Sequence, residues 1–124
     1  MVSWWPREKK WEAAAAAEAA FREERKLAIL NFLDISQQVG TIAAQRYLKG
    51  QVPEDVQAKT DQMWLRQKYI EIAGSPALQR ATYEFAERLM TATYRDLPEG
   101  VSVRDFLEEG GTPVIQTREE LGFT

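Results

Sequence analysis

The sequence contains no cysteine and no histidine. The first absence excludes disulfide frameworks, thiolate-bound zinc and thiol nucleophiles. The second removes the imidazole that most often serves as metal ligand or general base. No uncharged apolar run approaches the roughly 18 residues a membrane-spanning helix needs. Residues 1–11 already carry Arg7, Glu8, Lys9 and Lys10, so they lack the apolar centre of a signal peptide. A cytoplasmic protein is expected, and the missing cysteine fits a reducing compartment. The glycine motifs that cradle phosphates or dinucleotides are absent too.

What is present belongs to an ordinary folded protein. The 124 residues are 44% hydrophobic and 28% charged, with a net charge of −3. That length predicts one domain with one core. A net negative charge disfavours non-specific attraction to nucleic acid. Charge is divided unevenly along the chain. Residues 1–95 hold fourteen basic and twelve acidic side chains, whereas residues 96–124 hold two and seven. The acidic part also collects Pro98, Gly100, Gly110, Gly111, Pro113 and Gly122, so a boundary is expected near Asp96.

Between Pro6 and Pro53 there is no proline, and Ala, Glu, Arg, Lys, Leu and Gln dominate. This predicts a long first helix from near Pro6 to Lys49-Gly50, with a kink at Gly40 if it bends. Its halves differ. Residues 13–20 are seven alanines around Glu18 and offer little to bury. Ala28, Phe32, Ile35, Val39 and Ile42 step by four and three, as a packing seam does. The expected organisation is therefore a projecting Trp/Ala-rich arm over residues 1–21, a three-helix body over 22–95 and an acidic docking tail over 96–124. The body's helices are expected at about 22–49, 53–73 and 76–95. Pro53 with Glu54 and Asp55 should open the second helix. Gly74-Ser75-Pro76 reads as a helix end, an N-cap and a first-turn proline. In the tail, Ser102 and Thr117 each precede an acid at capping-box spacing. One or two short helices are expected there, the first ended by Gly110-Gly111, with residues 112–116 extended. The fold class predicted is all-α: a long N-terminal helix, an antiparallel helical bundle and an irregular acidic C-terminal segment.

Over residues 22–94 three short motifs recur in a known setting: Arg22-Glu23-Glu24-Arg25-Lys26, Asn31-Phe32-Leu33 and Gly74-Ser75-Pro76. On these the chain resembles uncharacterised bacterial small helical-bundle proteins. In those, a basic juxtamembrane stretch leads into an aromatic–leucine helix, and a Gly-Ser-Pro turn separates two later helices. The resemblance implies a small bundle and brings no activity. Those proteins commonly carry a membrane segment ahead of the basic stretch, where this chain has its alanine-rich, Glu-bearing helix.

Catalytic chemistry finds no support in the residues. The adjacent acids at 23–24, 54–55, 108–109 and 119–120 suit solvated or capping roles. A di-iron bundle needs Glu-x-x-His repeats, and the four serines have no histidine to activate them. No catalytic, cofactor-binding or metal-binding residue is therefore assigned, no cofactor is expected, and no small-molecule substrate is indicated. A helix-turn-helix over residues 54–95 would carry six basic and six acidic side chains, too balanced for a major-groove reader.

Unsatisfied apolar surface is the remaining signal. Trp4, Trp5 and Trp11 lie among cations, a composition suited to a protein groove or a membrane interface. The second helix carries two opposed stripes, Val56, Met63 and Ile70 against Leu65, Tyr69 and Ile72, with Trp64 between them. The expected partner-binding residues are Trp4, Trp5, Trp11, Phe21, Val56, Met63, Trp64 and Ile70. They suggest a non-catalytic interaction module, a small subunit or adaptor that meets another protein or a second copy of itself. The alternatives are a peripheral membrane protein anchored by the N-terminal tryptophans and cations, and a regulator or inhibitor acting through the acidic tail.

Overall fold

The computed structural model describes residues 7–120 and 122. Four helices follow one another: α1 (Arg7–Lys49), α2 (Val56–Ala73), α3 (Pro76–Tyr94) and α4 (Val103–Glu120). The protein is all-α among the described residues.

α1 runs 43 residues without a break, passing through Gly40. It stops where Gly50 takes φ 71°, with Arg46 and Lys49 in the last turn favoured by the helix dipole. Its second half supplies Ile29, Phe32, Ile35 and Val39 to a core completed by Met63 and Ile70 of α2 and Leu78, Ala86 and Leu89 of α3. The rings of Phe32 and Phe85 meet edge-on with centroids 6.3 Å apart. Polar ties join the helices: Lys59 donates to Gln38 Oε1 of α1 at 2.6 Å, and Gln67 donates to the Gln79 carbonyl at 3.4 Å while Thr60 meets Tyr94 at 3.0 Å. The last two ties set α2 opposite in direction to α3.

α2 opens at Val56, not at Pro53. Asp55 sits at φ −86°, ψ 9° with no capping bond from its side chain, and the Val56 N–H closes a turn onto the Pro53 carbonyl at 3.2 Å. Pro53, Glu54 and Asp55 are thus spent on the turn. At the other end, Ser75 caps α3 as expected, accepting from the Leu78 N–H at 3.2 Å with Pro76 in the first turn. Gly74 is extended, not left-handed. It is required because a Cβ there would lie 2.6 Å from the Ile70 carbonyl oxygen.

The C-terminal end of α3 is closed by α1. Arg46 donates to the carbonyls of Ala92 at 3.1 Å and Arg95 at 2.6 Å and pairs with the exposed Asp96 at 3.3 Å. The Tyr47 hydroxyl donates to the Arg95 carbonyl at 2.9 Å and accepts from the Leu97 N–H at 3.1 Å. Carbonyls left over at a helix end need such donors. Arg46→Ala is expected to cost about 1–2 kcal/mol in urea unfolding: a bond from a charged donor contributes about 1.5–3 kcal/mol, and here the bond to the Ala92 carbonyl is part-buried while that to the Arg95 carbonyl is exposed. Arg46→Lys should recover only part of this, because Nη1 serves both carbonyls while Nη2 holds the Asp96 carboxylate, a fork that a single ammonium does not reproduce.

The C-terminal segment departs most from the expectation of an irregular stretch with short helices. It forms one 18-residue helix that continues through Gly110, Gly111 and Pro113. Ser102 caps it, accepting from the Asp105 N–H at 3.1 Å. The glycines mark close approach instead of an end: a Cβ at Gly110 would lie 2.6 Å from Arg88 Cδ and 3.0 Å from Phe85 Cδ1. Arg88 reaches across to the Phe106 carbonyl at 3.0 Å and Glu109 at 3.2 Å, lying 4.8 Å over the Phe106 ring. Val114 is fully buried, and Leu107 packs on the core. Residues 112–116, expected to be extended, are helical.

Candidate interaction surface

Every α1 residue from 9 to 24 is exposed, a stretch ~24 Å long at about 1.5 Å per residue. Trp11 is 74% exposed and Phe21 50%. Trp4 and Trp5 lie outside the described residues.

The two stripes of α2 separate cleanly. Val56, Met63 and Ile70 are buried in the chain's own core together with Thr60 and Gln67, so they are unavailable to a partner. This corrects their assignment as partner-binding residues. The five positions alternate four and three apart, the spacing of a seam facing α1 and α3. The outer stripe is the uncovered one: Leu65 and Tyr69 are half exposed and Ile72 is 85% exposed. Trp64 turns toward α3 and packs against Tyr83, with ring centroids 5.4 Å apart.

Two of the open grooves among the described residues flank α2. One, of about 490 Å³, runs between the uncovered faces of α1 and α2, with Phe21, Leu27 and Ala28 on one wall and Tyr69, Ile72 and Ala73 on the other. Glu24, Asn31 and Arg66 give it polar edges. The other, of similar volume, lies between α2 and α3 and is lined by Trp64, Glu87, Met90, Thr91, Tyr94 and Arg95. Beside it, a hydrogen bond to the Glu87 carboxylate, reinforced by that group's negative charge, raises the Tyr83 hydroxyl above its ordinary pKa.

No family model, curated protein or solved structure matches this chain. Among the described residues no group of acidic side chains is gathered to hold a metal ion, and no helix is long and apolar enough to cross a membrane.

Of the residues expected from sequence, Phe21 joins the first groove and Trp11 stands exposed on α1. Leu27, Tyr69 and Ile72, outside the expected set, supply much of the groove's apolar walls. The signal for the outer stripe was present. Asp61, Gln62, Arg66 and Lys68 interleave Leu65 and Tyr69, as on a face turned to water, and an apolar stripe on such a face lacks a partner within the chain.

Proposed function

We propose that this chain is a non-catalytic protein–protein interaction module, a small subunit or adaptor of a larger or self-associated assembly. It engages its partner through the exposed N-terminal part of α1 and the outer stripe of α2. The observation that carries this reading is the groove walled by Phe21, Leu27, Tyr69 and Ile72. Here two helices that share a core leave large apolar side chains facing water side by side. Scattered exposed apolar residues are normal on a protein surface; contiguous ones mark contact sites.

A photoreactive amino acid placed at position 72 in the producing cell tests the reading. Light is expected to yield a discrete protein adduct from position 72 and none from the exposed loop position 99. No adduct at 72, or adducts to lipid alone, overturns it.

A further inference from the structure

We infer that the occupant of the α1–α2 groove is the N-terminal half of α1 from a second copy of this chain, laid antiparallel along the first copy's α1. This inference rests on the interaction-module reading and names its partner.

The first observation is a seam. Starting at Lys10, the positions Ala13, Ala17, Ala20, Glu24, Leu27 and Asn31 alternate three and four residues apart, the spacing of a coiled-coil contact line. Every one of them is exposed. The chain thus carries two seams on one helix. The line from Ile29 through Val39 is filled by the body, and the line from Lys10 to Asn31 is uncovered over ~32 Å at about 1.5 Å per residue. Its middle is alanine, so a second helix can approach closely.

The second observation is charge. In an antiparallel pairing with Ala17 facing Ala20 of the second copy, Lys10 comes against Leu27 and beside Glu24 of that copy. Two-fold symmetry repeats this contact at the other end. A parallel pairing would instead set Lys10 against Lys10 and Glu24 against Glu24, so the charges select the antiparallel arrangement. Lys10 and Glu24 of one copy stand about 21 Å apart along their own helix and cannot meet within one chain.

The third observation is continuity with the groove. Glu24, Leu27 and Asn31 belong both to the seam and to the wall shared with Tyr69 and Ile72. A helix lying on the seam therefore reaches Tyr69 and Ile72 of the outer stripe at its end. Trp11 lies about 120° round the helix from Ala17, at ~100° per residue, and takes no part in this contact.

Light scattering on the purified full chain over a concentration series tests the inference. The expected mass at high concentration is twice 14.2 kDa. Ala17→Glu puts like charges at the two-fold centre and is expected to give monomer. Glutamate is a strong helix former, so circular dichroism should show the same helix content. Ala19→Glu, on the opposite side of the rod, should leave the dimer intact. Lys10→Glu is expected to weaken dimerisation roughly three- to tenfold, the scale of exposed ion pairs made twice. Adding Glu24→Lys should restore it. A monomer at every concentration, a dimer indifferent to Ala17→Glu, or a charge swap that fails to restore pairing overturns the second-copy inference. If the photo-adduct at position 72 is then a different protein, the module reading stands without it; if there is no adduct, both fall.

Discussion

Replacing Phe32 by alanine is expected to remove about 3–5 kcal/mol of folding stability, the usual cost of emptying a buried aromatic site. Phe32 is fully buried, and it meets the Phe85 ring at 6.3 Å. Phe85 in turn is the surface on which Gly111 of α4 rests, 3.5 Å from a Cβ built there. Losing Phe32 therefore loosens the three-helix core and the seat of the fourth helix together. A domain of this size holds only about 5–15 kcal/mol in total. Chemical unfolding followed by far-ultraviolet circular dichroism would show the lower midpoint. A loss below about 1 kcal/mol would mean that Phe32 is not a core residue.

The second large effect separates two adjacent glycines. Gly110→Leu is expected to destabilise by about 2–3 kcal/mol, within the range for forcing atoms into a filled site. Its Cβ alone would lie 2.6 Å from Arg88 Cδ, and Arg88 cannot easily move while its head group holds the Phe106 carbonyl and Glu109. Gly111→Ala should do the reverse. Its Cβ meets Phe85 at 3.5 Å, an ordinary packing distance, and alanine is favoured over glycine in a helix by about 1 kcal/mol. A stabilisation of about 0.5–1 kcal/mol is expected from Gly111→Ala. The same sign at both positions in thermal unfolding would show that α4 does not sit on α3 as described.

These two predictions also mark where the sequence could and could not be read. α1 and α3 were legible because their seams are made of ordinary apolar residues and their ends carry strong local signals, Lys49-Gly50 and Ser75-Pro76. α4 was not. Gly110, Gly111 and Pro113 are local signs of a helix ending, and the approach of Phe85 and Arg88 that uses the glycines is a long-range property of the fold. The inner stripe of α2 was disguised by its own polar members. Thr60 and Gln67 interrupt Val56, Met63 and Ile70, so both faces of the helix looked equally in need of cover. Polar residues inside a seam can fix register at some cost in stability; here Gln67 reaches the Gln79 carbonyl and Thr82. The groove was beyond local reading, because it depends on how α1 and α2 are rotated against each other.

The unbroken course of α1 has a mechanical consequence. Between Arg7 and Val39 there is no glycine or proline at which the rod could hinge. Whatever grips its tip is held at a set distance and a set angle from the bundle, like an object on a rigid spacer. Inserting four alanines after Ala17 would lengthen the spacer by about 6 Å and turn its tip by about 40°, resetting both distance and angle without altering a single contact in the core.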